Sequence, residues 1–127
     1  MDKLIAMLKR HEGAETHIYM CTEDRYTIGV GRNVDPRGGL GLSEDEIDYL
    51  LSNDVLRCIK ELSKEYRWFG DLDDIRQEAV IDVFFCLGAT RFRTFSKMIK
   101  ALEDADYRDA SIQLLDSRFA KQTGRRA

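Results

Sequence analysis

Leu4, Ile5 and Leu8 share one face of a helical wheel near the start of the chain. Asp2 is placed to cap this first helix and Gly13 to end it. The pattern then changes. Ile18 and Tyr19, followed by Tyr26, Ile28 and Val30, lie on either side of Thr22-Glu23-Asp24-Arg25, which predicts a β-hairpin over residues 16–20 and 26–31. Residues 33–42 contain the only proline, Pro36, together with Gly38, Gly39 and Gly41, and read as a loop. Ser43 and Glu46 then have the spacing of a capping box. Behind them Ile47, Leu50, Leu51, Val55, Cys58, Ile59 and Leu62 recur at helical spacing, predicting a long helix from 44 to about 63. Asp73 or Asp74 opens a further helix. Its stretch from Ala79 to Leu87 is apolar except at Asp82, so it belongs at a core, and Gly88 is its natural end. Thr94 is placed to cap a helix bearing Phe95, Met98, Ile99 and Leu102, and a last helix runs from about Tyr107 to Leu115.

These elements predict an α+β fold in a single domain over 1–127. A small hairpin lobe occupies about 14–42 and a connecting helix about 44–63. A larger helical lobe takes about 70–127 together with the first helix. Hydrophobic residues make up 43% of the chain, too many for disorder despite 34% charged residues. The net charge of −3 gives no general attraction to nucleic acid. Glu44, Asp45, Glu46, Asp48 and Asp54 form an acidic segment. Arg91, Arg93, Lys97 and Lys100 form one basic cluster, and Arg118, Lys121, Arg125 and Arg126 another. Each reads first as a solvated face. Cys21, Cys58 and Cys86 contain no CxxC pair, which argues against structural zinc and favours free thiols in a reducing compartment. Met1 leads into a charged amphipathic stretch rather than a signal peptide, and no apolar run reaches the ~20 residues of a membrane span. The expectation is a protein made in a cytoplasm without an export signal of its own.

Glu12 sits in the last turn of the first helix, where the helix dipole disfavours a carboxylate. In a partly apolar cleft its pKa would rise, giving the protonated acid that a glycosidase needs at its leaving oxygen. Position alone favours the plainer reading, an exposed helix-end acid. Cys21 and Thr27 lie on the two arms of the hairpin, and a five-residue loop would set them opposite each other on one face. Taken singly, they read as a small half-buried residue and a strand former. Gly29 and Gly31 permit close approach of backbone or ligand, but a loop rather than a helix follows, which excludes a phosphate loop. His11 beside Glu12 lacks an H-E-x-x-H context, so no metal is expected there. Asp82 reads as a satisfied buried polar group.

His11-Glu12-Gly13, Ile18-Tyr19, Thr22-Glu23 and Tyr26-Thr27-Ile28-Gly29-Val30-Gly31, in that order and spacing, resemble the catalytic hairpin of the T-even phage lysozyme family, family 24 of the glycoside hydrolases. The resemblance continues through Asn53-Asp54-Val55, Ala79-Val80-Ile81, Phe84-Phe85, Gly88, Phe95, Ser117-Arg118-Phe119 and Gln122-Thr123. It implies a lysozyme-like fold and a bacteriolytic endolysin that hydrolyses the β-1,4 bond between N-acetylmuramic acid and N-acetylglucosamine in peptidoglycan. By the same resemblance Glu12 matches the catalytic acid, Thr27 the threonine that holds the attacking water, and Phe85 a cleft aromatic. Gln113 falls where a sugar-contacting Asn is common, and Arg126 matches an arginine near the catalytic acid. Cys21 stands at the position of the catalytic Asp, where some members carry Cys. Asn33 stands where an apolar cleft residue is usual and is a candidate substrate contact. The chain stops at Arg125-Arg126-Ala127, where relatives continue, and is shortened between Gly31 and Ser43. No cofactor, metal, nucleic acid or membrane insertion is implied. A monomer is expected, made in the host cytoplasm and reaching the wall in the periplasm after holin-mediated release. The rival readings are a non-catalytic peptidoglycan-binding module of the same fold, a lytic transglycosylase, and a small nucleic-acid-binding domain using Arg91, Arg93, Lys97 and Lys100.

Overall fold

The computed structural model describes residues 1–115, so the expectations placed on Ser117, Arg118, Phe119, Lys121, Gln122, Thr123, Arg125 and Arg126 lie outside the described residues. Backbone packing divides the chain into two compact units, Met1–Leu50 and Leu51–Ala127.

The first unit opens with helix α1, Asp2–Glu12. Asp2 does not cap it. The helix begins one residue earlier than such a cap would allow, with Met1 at the N-cap. The Asp2 carboxylate still sits in the first turn, at the positive end of the helix dipole. Gly13 ends the helix as expected: it takes φ 78° and returns its N–H to the Lys9 carbonyl. Strands β1 (Glu15–Met20), β2 (Tyr26–Gly29) and β3 (Arg32–Asn33) then form an antiparallel sheet in that order. Val30, expected in a strand, lies in the turn to β3, and β3 itself claims Asn33 from the expected loop.

The hairpin register differs from the one the sequence suggests. Thr27 pairs with Tyr19, and Tyr26 with Met20. Cys21 lies beyond the end of β1. Its N–H donates to the Arg25 carbonyl at 3.0 Å, and its carbonyl accepts the Asp24 N–H at 3.0 Å. Asp24 adopts φ 61°. This is a three-residue loop, a turn closed by a left-handed residue, rather than the five-residue loop that would have set Cys21 opposite Thr27. Asp tolerates that conformation better than most residues.

Helix α2, Glu44–Glu65, starts with the capping box its sequence predicts. The Ser43 N–H donates to Glu46 Oε1 at 2.8 Å, and the Glu46 N–H donates to Ser43 Oγ at 3.2 Å. Arg32 of β3 fastens this helix start to the sheet. Its Nη1 donates to the Gly41 carbonyl and to Glu46 Oε1, and its Nη2 pairs with Glu46 Oε2 at 2.7 Å. The guanidinium holds the Glu46 carboxyl down to about 2.

The second unit supplies the buried apolar core. Leu62 of α2 packs with Trp68 and Phe69 from a 3₁₀ turn, Arg67–Asp71, and with Leu72. Val80, Val83, Phe84, Leu87 and Phe92 of α3 (Asp74–Arg93) join it, followed by Met98, Ala101 and Leu102 of α4 (Ser96–Glu103) and Ala110 of α5 (Tyr107–Leu115). Phe92 is 0% exposed, with its ring edge-on to Phe84 at 5.2 Å and tilted against Tyr66 at 5.6 Å. Asp73 caps α3 by accepting the Arg76 N–H. Gly88 breaks α3 with φ 78°, and a further helical segment follows it. Thr94 does not cap α4. Its hydroxyl donates instead to the Arg91 carbonyl at the end of α3. No helix among the described residues is long and apolar enough to cross a membrane.

Candidate active site

The first unit carries Glu12, Cys21, Thr27 and Asn33. Glu12 is the last residue of α1 and is exposed to solvent. Gly13 and Ala14 alone separate it from β1. A helix that ends there, in a residue type able to take positive φ, gives the chain its sharp passage from helix to hairpin.

Burial in the hairpin falls on polar positions. Thr27 is 4% exposed, whereas Ile18, Met20 and Tyr26 remain open. The Thr27 hydroxyl donates to the Arg25 carbonyl at 2.9 Å. Cys21 shares the Thr27 face, as the diagonal neighbour across the end of the hairpin. The turn wraps its sulfur. The backbone N–H groups of Glu23 and Arg25, and to a lesser degree the Thr27 hydroxyl, favour its charged form and pull the Cys21 thiol below its ordinary value. Partial burial and the Glu23 carboxylate oppose them. One hydroxyl hydrogen cannot serve two acceptors. With Cys21 as a thiol, Thr27 donates to Arg25 and its lone pairs can accept the S–H. With Cys21 as a thiolate, the hydroxyl can turn to the sulfur.

Behind the turn lies a group that the sequence pattern places only in a loop. Asp35 is 2% exposed, and its side chain is wholly buried. It accepts the Tyr26 N–H at 3.0 Å, the Arg37 N–H at 2.8 Å, and the Arg37 guanidinium at 2.9 and 3.0 Å. These donors hold its carboxyl far below the usual carboxylate range. A signal was present in the sequence: Asp two residues before Arg37 in a proline-containing loop is an Asx-turn former, and Asp35 accepts the N–H two residues on. The Asn33 Oδ1 atom accepts the Asp35 N–H at 2.9 Å, so this face of Asn33 is used in holding the loop.

The remaining candidates lie in the second unit or beyond the described residues. Phe85 is exposed on α3. Gln113 is half-buried on α5, with Nε2 3.4 Å from Asp109 Oδ1. Arg126 lies outside the described residues. Among the described residues no group of three or more His, Cys, Asp or Glu side chains could hold a metal ion.

A sequence model of phage lysozymes matches residues 9–127. The chain belongs to the phage lysozyme family. Among the described residues, the five α-helices and small three-stranded sheet are those expected of a lysozyme-like α+β fold. A probable T4-type lysozyme 2 of Dictyostelium discoideum is 27% identical, covering 100% of this chain and 90% of that protein. An endolysin of Acyrthosiphon pisum secondary endosymbiont phage 1 is 26% identical over 98% of this chain and 84% of its own length. A probable T4-type lysozyme 1 of Dictyostelium discoideum is 25% identical over 95% of this chain. Within such a family, the chemistry available to the first unit is that of a carboxylic acid at a helix end, followed by a thiol and a hydroxyl sharing one hairpin face.

Proposed function

We propose that the protein is an endolysin-type lysozyme that hydrolyses the β-1,4 bond from N-acetylmuramic acid to N-acetylglucosamine in peptidoglycan. The observation that carries this reading is the hairpin turn, whose register and Cys21–Arg25 backbone bond bring Cys21 and Thr27 onto one face. Phage lysozyme family membership and the lysozyme and endolysin relatives support the substrate class.

In the proposed reaction the Glu12 carboxyl gives its proton to the glycosidic oxygen as the bond from C1 to that oxygen breaks. Positive charge develops on the ring. A water molecule, held by the lone pairs of Thr27, attacks C1, and the Cys21 thiolate takes the proton the water loses. The atoms balance: one water is consumed and each sugar fragment ends in a hydroxyl. The donors around Cys21 favour the thiolate that this role needs, because hydrogen bonds to the charged form stabilise it. If instead the sulfur attacks C1 directly, the configuration at C1 is retained, whereas assistance to water inverts it.

The test is clearing of permeabilised Gram-negative cells by wild type and Glu12→Gln. Glu12→Gln keeps the shape and removes the proton, so the lytic rate should fall by at least ~100-fold. Clearing at the wild-type rate would remove Glu12 from the mechanism. A wild-type protein that binds peptidoglycan without clearing cells would make this a binding module.

A further inference from the structure

Among the described residues Asp35 is the only buried charged one, and the proposed chemistry gives it no step. Burying a carboxylate is costly unless donors surround it, and here four do. Two of the four come from one guanidinium, in the forked geometry that Arg offers and Lys cannot. The same Arg37 Nη2 that donates to Asp35 also donates to the Asp24 carbonyl at 2.7 Å. Asp24 is the left-handed residue that closes the Cys21 turn. A continuous run of bonds therefore leads from the buried carboxylate, through the guanidinium, to the Asp24–Arg25 peptide, and the Arg25 carbonyl in turn accepts the Cys21 N–H. A second strand of the same support starts at Asp35 Oδ2, which accepts the Tyr26 N–H directly beside Thr27.

We infer that Arg37, anchored on Asp35, is a positioning residue that holds the hairpin turn in the shape that presents Cys21 and Thr27 for reaction. It touches no reacting atom. An ordinary surface ion pair would do nothing of this kind, and Arg37 is 54% exposed. What sets it apart is that its fork joins a wholly buried carboxylate to the carbonyl of a residue at positive φ. The inference rests on the reading of Cys21 as a reacting group, so its test reads the thiol itself.

The experiment uses the full chain with Cys58→Ser and Cys86→Ser, which leaves Cys21 as its sole thiol. The pH dependence of iodoacetamide alkylation is measured in that protein, in Arg37→Ala and in Arg37→Lys. Losing the fork lets Asp24 move and loosens the turn that its N–H and the Arg25 carbonyl close on Cys21. The backbone N–H groups of Glu23 and Arg25 then no longer favour the thiolate as strongly. The alkylation inflection should therefore move to higher pH in both variants, and the lytic rate should fall roughly 100-fold, as for a misplacement of about 1 Å. Arg37→Lys keeps the charge beside Asp35 and reaches one acceptor at a time, so it carries the test even if Arg37→Ala fails to fold. An Arg37→Ala inflection that coincides with the parent's overturns the inference. So does full restoration by Arg37→Lys, which would reduce Arg37 to a point charge. A fully active Cys21→Ala protein, by contrast, would remove Cys21 from the chemistry and leave the alkylation result standing.

Discussion

Replacing Gly39 by alanine adds one carbon at the most crowded glycine of the hairpin unit. That Cβ would stand 2.5 Å from the Asp35 carbonyl oxygen, 2.6 Å from the Asp35 nitrogen and 2.6 Å from Asn33 Oδ1. Ordinary carbon contacts begin at 3.4 Å, so these neighbours must retreat by close to ~1 Å. Two of them are backbone atoms, and both take part in bonds: the Gly39 N–H donates to the Asp35 carbonyl at 2.7 Å, and the Asp35 N–H donates to Asn33 Oδ1. Overpacking of this kind costs about 1–3 kcal/mol. Weakening one of the two hydrogen bonds adds about 1 kcal/mol. The expected loss is about 2–4 kcal/mol, or a melting point lower by roughly 8–15 °C for a chain of this length. Moving Asp35 also pulls on Tyr26 and Arg37, so the lytic rate should drop by about 100-fold. Gly70→Ala is the control, since its Cβ meets nothing within 4 Å and its φ is not positive. It should leave stability within about 0.5 kcal/mol of wild type. Thermal melts followed by circular dichroism, beside turbidity clearing, measure both effects. A Gly39→Ala protein that melts and clears cells like wild type would refute the packing assigned to this loop.

Phe92→Ala should destabilise by about 3–5 kcal/mol, because it removes a fully buried ring that touches Phe84 and Tyr66, and urea denaturation would show it. Glu46 has a folded pKa of about 2, below its ordinary 4.5. The pair with Arg32 therefore stabilises the fold above about pH 4.5, and that stabilisation is lost as the pH falls through about 2. Arg32→Ala should lower the urea midpoint at neutral pH, and the gap from wild type should close toward about pH 2. Cys21→Asp should stay active with its pH optimum shifted down, since an Asp carboxylate ordinarily ionises near ~3.9 and a Cys thiol near ~8.5. A pH–rate profile in which the two optima coincide would show that Cys21 does not act through its thiolate.

The helices were legible because their signals are local. Ser43 and Glu46 announce α2 three residues apart, and the largely apolar run from Val80 to Leu87 places Val80, Val83, Phe84 and Leu87 in the core while Asp82, Phe85 and Cys86 stay exposed. Gly13 was legible for the same reason, as a single position needing positive φ. The hairpin was legible as a hairpin but not in register, because alternation fits loops of three and of five residues equally well. The left-handed Asp24 that decides between them shows only in the backbone. Thr94 misled because a hydroxyl near a helix end serves as readily at the C-terminus of one helix as at the N-terminus of the next. The 3₁₀ turn at Arg67–Asp71 is too short to carry a period. Of the site, Glu12, Cys21 and Thr27 were visible through a family resemblance, while Asp35 was not. An Asp in a Pro- and Gly-containing loop looks like solvent-exposed turn chemistry, and its burial comes from Tyr26 and Arg37, partners nine residues before it and two after.

The most direct test of the account is the chemistry of the cut ends. Purified peptidoglycan would be digested with wild type and with Glu12→Gln, and the released fragments analysed by mass and by reducing-sugar yield. Hydrated N-acetylmuramic acid ends are expected from wild type, with at least ~100-fold slower release from a folded Glu12→Gln protein. Anhydro-sugar ends, no release by wild type, or equal rates from the two proteins would contradict it.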